Sequence, residues 1–400
     1  VKEKVNRAQQ KEIAKSDVTL YENFYAEPVL TNGSTMRIFK NREEVNRVCL
    51  MKGEFPKSAD EIAIDRMYAD NNELSVGDII TEEESGREWK ITGLVALSDY
   101  SCLFSDNNDS MFDAVKFGVG IVTEEAFDTF NTDNMICNYS WKYGTEPKGE
   151  TEEKNVAEDF MKVLNSEVSL ETFVPRYSNQ AIQFTGEDMG SDRMMMIILL
   201  YIVIAILAFV FGITISNTIH KESTVIGTLR ASGYTRRELI LHYMTAPMLV
   251  TFAGAVIGNI LGYTVLKDVC AGMYYGSYSL PTYVTVWNAE AFLLTTIIPI
   301  LLMLLVNYTV LRRRLSLSPL KFLRRDLKRR QQKHALSLSR RIPFFSRFRL
   351  RVIFQNVSNY LLLFLGILFA NLLLMFGLLF PAVLDHYQTV LEDNLLCNYQ

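Results

Sequence analysis

The sequence predicts a membrane α-helical protein with four transmembrane helices in this chain, preceded by an α+β extracytoplasmic domain. Three observations lead there. The stretches 194–219, 239–266, 291–311 and 352–384 hold no Asp, Glu, Lys or Arg over 26, 28, 21 and 33 residues. A hydrocarbon core about 30 Å thick takes roughly 20 helical residues, so each stretch can cross it with some tilt. Charge is divided sharply along the chain: 20 Lys+Arg against 37 Asp+Glu over 1–192, but 15 basic residues and the single acid Asp326 over 312–351. The overall net charge of −4 averages two different environments. Finally, residues 1–190 mix short β-branched and aromatic runs with helix-like ones, the mark of an α+β domain.

Within 1–190, "KEKVNRAQQKEIAK" reads as a polar helix that continues one rising from the membrane. "VTLYENFYAEPVL", "MRIFK", "VGDII", "EWKITGLVAL" and "AVKFGVGIVT" read as strands. "ADEIAIDRMYADNN" and "TEEKNVAEDFMKVLN" read as amphipathic helices, the second after a linker at "GTEPKGET". No catalytic constellation is visible in this domain. The four histidines, His220, His242, His334 and His386, all lie outside it, and neither H-E-x-x-H nor G-x-S-x-G occurs in the chain. Carboxylates such as Glu82, Glu83 and Glu84 suit a solvated face, or a surface that steers cationic peptides. Cys49, Cys102, Cys137, Cys270 and Cys397 are scattered without a C-x-x-C, which fits neither a disulfide framework nor a metal site and leaves one outer bridge open.

The basic loops set orientation. Lys221, Arg230, Arg236 and Arg237 follow the first span and the 15 basic residues of 312–351 follow the third, whereas 267–290 carries only Lys267 against Asp268 and Glu290. Short Lys/Arg-rich loops stay cytoplasmic, which puts 1–190, 267–290 and 385–400 outside. The chain begins with Val and shows no leader before a domain that has to cross, so a further span before Val1 is expected. The domain plan is thus 1–190 outside, 191–311 as a core of three spans, 312–351 as a basic cytoplasmic linker, then 352–384 and the start of a second outer region at 385–400. In the linker, Leu320, Leu323 and Leu327 fall on one side among arginines, as in a helix lying on anionic lipid. Nucleic acid is not an expected partner of a loop pinned between spans.

Inside the spans, Gly254, Gly258 and Gly262 recur every four residues, which permits close approach of a neighbouring helix. Pro247 and Pro299 are expected to kink their helices. With no ionisable Asp, Glu, Lys or Arg in any span, an ion-coupled secondary transporter is disfavoured.

The most explicit local signals lie in "KESTVIGTLRASGYTRREL", residues 221–239. Val225, Ile226 and Leu229 fall on one face of a short amphipathic helix. Gly233 stands where a C-terminal cap wants positive φ, and Thr235 with Glu238 forms a capping box before the next span. Tyr234 and Leu239 occupy the positions of a hydrophobic staple. Such a stiff helix–turn–helix suits transmission of force from a cytoplasmic partner. On spacing alone it suits equally well an apolar face resting in the lipid interface.

"IGTLRASGYTRRELILHYMTAPMLVTFAGAVIGNILGY" resembles the core of the FtsX-like permease family, which includes the MacB-type transporters. The likeness is carried by Lys221, Glu222, Ile226, Gly227, Leu229, Arg230, Ala231 and Gly233, then by Gly254, Gly258 and Gly262. It covers about 190–315, and "KGEFPKSADEIAIDRMYADNNELSVGDII" with "WKITGLV" resembles the family's outer domain. The resemblance implies a non-enzymatic permease subunit of an ATP-binding-cassette (ABC) system in a bacterial cytoplasmic membrane. It implies that residues 221–238, Val225 among them, touch a separate ATP-binding subunit. The chain has no phosphate loop and no cofactor of its own, so ATP would act through that partner. "RFRLRVIFQNVSNYLLLFLGILFANLLLMFGLLF" resembles the opening of a second family unit, implying a dimeric or tandem-repeat assembly. The cargo class implied is a peptide, lipid or lipoprotein. FtsX itself supplies the alternative, a membrane sensor or regulator acting on a cell-wall enzyme or antimicrobial peptide without transport.

Overall fold

The computed structural model describes residues 1–131, 135–324, 343–355 and 357–394. The chain forms two units, Val1–Leu199 with Gly254–Phe292, and Leu200–Ala253 with Leu293–Gln400.

The first unit begins with α1 (Arg7–Ala14), β1 (Val18–Glu22), β2 (Tyr25–Ala26), β3 (Thr35–Lys40), β4 (Val48–Gly53) and β5 (Glu61–Asp65). It continues through α2 (Arg66–Asn71), β6 (Ile79–Thr81), β7 (Glu88–Leu97), β8 (Phe117–Val122), α3 (Glu124–Phe127), β9 (Met135–Ile136), β10 (Tyr139–Tyr143) and α4 (Glu150–Glu167). The main sheet runs β4-β7-β5-β8-β3-β2-β9, with β6 also paired to β7. Its centre is mixed: β5 lies parallel to β7 and antiparallel to β8, which is parallel to β3. Ile38, Ile62, Ile64, Trp89, Ile91, Val119 and Ile121 fill its core. A smaller sheet pairs β1 with β10, and Val18 joins Ile13 of α1 with Phe160 and Leu164 of α4 in a second cluster.

Two expectations are corrected here. "EIAID" is not the first turn of a helix but the interior strand β5, with Ile62, Ala63 and Ile64 fully buried between β7 and β8. A short apolar run covered on both faces has no period that separates it from a buried helix; burial decides. The helix starts only at Arg66, where the Asp65 side chain accepts the Met67 and Tyr68 N–H groups. Likewise "VTLYENFYAEPVL" is not one strand. It breaks at Asn23, which is buried and accepts from Arg42 Nη1 at 2.9 Å, so β1 and β2 enter different sheets.

Among the described residues, four helices are long and apolar enough to span a bilayer, so this is a membrane protein. The first is α5 (Gln180–Lys221), which belongs to both units. After α6 (Ser223–Ala231), α7 (Arg236–Leu261) passes through a π turn at Gly262–Leu266 into α8 (Lys267–Ser277). The third comprises α9 (Ala289–Phe292), a π turn at Leu293–Ile297 and α10 (Ile298–Arg314). Then come α11 (Pro319–Leu323), α12 (Phe344–Gln355) and α13 (Val357–Asn394), the fourth span. The first two helical runs each have 42 residues, about 63 Å, and so extend well past the apolar stretches read from sequence. Charges such as Asp192 or Lys267 end the apolar run without ending the helix. The π turn at 293–297 directly precedes Pro299, where a regular helix would clash with the proline ring.

Cys49, Cys102, Cys137 and Cys270 are unpaired, and Cys397 lies outside the described residues. So do Leu327 and 395–400.

Candidate functional site

In the second unit, α6 begins after Glu222 leaves helical geometry (φ −93°, ψ 13°) and ends in a tight reversal. Tyr234 N–H donates to Leu229 O at 3.1 Å and Gly233 N–H to Arg230 O at 3.4 Å, around Gly233 at φ +104°. This is the double bond pattern of a Schellman cap, and its left-handed residue is cheap only for glycine. The capping box forms as read: Thr235 N–H donates to Glu238 Oε2 at 2.7 Å, and Glu238 N–H to Thr235 Oγ1 at 3.3 Å. Leu239 is buried, but Tyr234 is 54% exposed and lies outside the cluster that holds Leu239, so the staple does not brace the turn.

The faces of α6 differ from the expected ones. Ile226 is fully buried with Ile215, Ile219, Leu239, Leu311, Leu315 and Phe322, and Leu229 packs at the edge of that cluster. Val225 points away and is 56% exposed. The expected knob of Val225, Ile226 and Leu229 is therefore split, because neighbours in an α-helix lie about 100° apart. What covers Ile226 is α11. Gly227 sits so close that a Cβ there would meet Leu323 Cγ at 2.9 Å and Leu323 N at 3.0 Å. Arg230 is not a free cation, since its Nη1 donates to Leu315 O at 3.1 Å and also to Leu317 O. Tyr243 O–H donates to Glu222 Oε2, bracing the start of α6 from α7. One face of α6 is thus locked to α10 and α11, and the other presents Thr224, Val225, Thr228 and Ala231 to the surroundings.

Docking also corrects the linker reading. Leu320 is 56% exposed, Leu323 covers Gly227, and Phe322 is the residue that is fully buried. The helix rests on α6 at this point, and that contact, more than lipid, selects its buried face. At Gly254, Gly258 and Gly262 an added methyl would meet nothing of this chain within 4 Å, so that stripe is open among the described residues.

The first unit holds a second constellation that sequence reading missed. Arg66 donates through Nη2 to the carbonyls of Tyr275 and Tyr278, both at 2.8 Å, and through Nη1 to Asp70 at 2.7 Å. It thereby caps the C-terminal end of α8. The Ser279 hydroxyl donates to Asp65 Oδ2, while Ser279 N–H donates to Ser101 O at 2.9 Å. Tyr274 and Tyr278 donate their hydroxyls to Asp192 and Asp188 of α5, at 2.8 and 2.6 Å. Beneath them Phe104, Phe112, Phe184 and Tyr278 pack ring against ring. Nothing in the local pattern of any one segment announces these pairs, which lie 209 to 214 residues apart across the Arg66 and Asp65 bonds.

Asp65 is fully buried, and burial pushes its carboxyl up to about 6 despite the Ser279, Tyr68 and Met67 bonds and the Arg66 charge, which pull it down. A carboxyl that binds its proton more tightly when folded stabilises the fold below its unfolded pKa. That contribution is lost as pH rises from about 4 through about 6, on the order of 2–3 kcal/mol. Asp65→Asn keeps an acceptor for the Met67 and Tyr68 N–H groups without the charge. Its stability advantage over the wild type is therefore expected to grow by that amount between pH 4 and pH 7. Denaturant unfolding of the full chain, followed by tryptophan emission at both pH values, checks this.

Residues 197–319 match the model of the FtsX-like permease C-terminal domain. That match spans α6, its turn, α7 to α10 and the start of α11. The chain is also similar to the permease protein HrtB of Staphylococcus haemolyticus, a protein named for hemin transport. The two are 26% identical over 238 residues, 58% of this chain, which spans 57% of that relative's length. From residue 197 of α5 to the end of α10, three spans and the braced helix between the first two lie within the matched residues, and the chain carries an FtsX-like permease domain at 197–319.

Proposed function

We infer that this chain is the membrane subunit of an ABC system, and that the open face of α6 receives a separate ATP-binding subunit. One observation carries the reading. A nine-residue helix between two spans is fixed on one side by Ile226, Gly227 and Arg230, and leaves Thr224, Val225 and Thr228 uncovered on the other. A loop that only reversed the chain would need no such bracing. Held this way, α6 moves as a body with the ends of α5, α7 and α10, so a push on its open face is passed to the spans. ATP acts through the partner, and the chain supplies the lever.

The unequal basic loops support a bacterial cytoplasmic membrane location with 1–190 outside. The open glycine stripe of α7 supports a second membrane unit beside it, from a second copy or a tandem repeat. The relative named for hemin transport makes hemin the first cargo to test, alongside peptides, lipids and lipoproteins. Purification of the full-length protein in mild detergent is expected to bring down a stoichiometric phosphate-loop protein that hydrolyses ATP. Recovery of outer-face proteins alone, at equal depth of detection, would replace this reading with a sensor acting on a cell-wall partner.

A further inference from the structure

We propose that Asp65 and Arg66 form a latch on the 275–279 turn, through which the sheet domain follows helix α8. The proposal rests on the reading of α6 as the driven end of the chain, because Arg236–Ser277 is helical throughout and links α6's turn to α8.

The last carbonyls of a helix have no partner within it, and most helices supply a cap from the residues that follow. At the end of α8 the donor for the Tyr275 and Tyr278 carbonyls is instead Arg66, the first residue of α2 in the sheet domain. The Arg66 guanidinium also lies 5.2 Å from the centre of the Tyr275 ring. One residue earlier, the Asp65 carboxylate serves two elements at once. Its Oδ1 accepts the N–H groups that start α2, and its Oδ2 accepts the Ser279 hydroxyl. Asp65 ends β5 and Arg66 follows it, so the grip sits at the end of an interior strand of the main sheet, between β7 and β8. Both groups are charged and both bonds are shielded, which makes them stronger than exposed contacts of the same geometry.

Two further ties explain why this is a latch on a moving part rather than a general packing contact. Tyr274 and Tyr278 hold the same turn to Asp192 and Asp188, at the outer end of α5. Ser101, in the loop after β7, accepts from Ser279 N–H and donates its hydroxyl to Ala181 O of α5. The turn therefore gathers two membrane helices and the domain at one place, and the Asp65 and Arg66 bonds join it to the end of β5. Loss of those bonds leaves both helices in place and removes the grip on the end of β5, while Ser101 and Phe112 still touch the turn. Asp65 and Arg66 are thus positioning residues, which set the domain relative to the helix that carries motion outward.

The test is hydrogen exchange on the full chain in lipid nanodiscs with its co-purified ATP-binding subunit, with and without ATP. Wild type is compared with the double variant Arg66→Met, Ser279→Ala, which keeps Asp65 and its bonds from the Met67 and Tyr68 N–H groups. Without nucleotide, the amides of 275–282 are expected to exchange about tenfold or more faster in the variant, with β5, β7 and β8 unchanged. Unchanged exchange at 275–282 overturns the latch. With ATP, the wild type is expected to respond over both 267–282 and 61–71, and the variant over 267–282 alone. A response at 61–71 that persists in the variant overturns the proposal. Absence of any ATP response in the wild type counts against the ATPase-driven reading instead, and the nucleotide-free comparison still decides the latch.

Discussion

Replacing Phe322 with Ala is expected to release α11 from α6 and to cost about 3–5 kcal/mol of docking energy. Phe322 is fully buried among Ile215, Ile219, Ile226, Leu239, Leu311 and Leu315, and it is the single aromatic in that cluster's buried set. Its helix has only five residues, too few to persist without a surface to rest on. The cavity left by the ring therefore does not stay local: Leu323 loses its seat on Gly227, and Arg230 loses the carbonyls of Leu315 and Leu317 that it holds. Hydrogen exchange across 223–231 and 315–324 is the measurement, with about 100-fold faster exchange expected in Phe322→Ala. Leu320→Ala, at a position 56% exposed, is expected to change stability by under about 0.5 kcal/mol. Equal effects at the two positions would show that α11 rests on lipid after all.

Val225→Asp is expected to weaken association with the ATP-binding subunit about 100-fold while leaving the chain folded. The side chain is 56% exposed, so the unfolded and free folded chains both solvate an added carboxylate. Only a docked partner would have to bury it unpaired, and that costs several kcal/mol. Ile226 is a poor site for this experiment. It is fully buried against α11, and Ile226→Asp would damage the fold before any partner was met. Affinity of the purified chains for one another, with thermal unfolding as the control for folding, separates the two cases.

Much of this was legible in the sequence, and the pattern of what was not is physical. The spans were legible because a bilayer imposes one length and one chemistry on any segment that crosses it. The turn after α6 was legible because Gly233, Thr235 and Glu238 act within a few residues of each other, and the structure forms the cap and the capping box. The buried face of α6 was not. Val225 and Ile226 are equally apolar, and the choice between them is made by α11, about 95 residues away, through Phe322 and Leu323. β5 was read as helix because a five-residue strand covered on both faces has no alternation to show. The Asp65–Ser279 and Arg66–Tyr275 contacts had no local signal at all, since each residue is ordinary in its own segment and the meeting depends on the tertiary fold.

What touches the open face of α6 decides whether this helix is driven by an ATP-binding subunit. A photocrosslinking amino acid placed at Val225 of the full-length protein, activated in intact cells, reads that contact directly. The expected result is an adduct with a phosphate-loop ATP-binding protein, repeated from Thr224 and Thr228. Adducts with lipid or with this chain alone from all three positions, in cells that contain the folded protein, would contradict it.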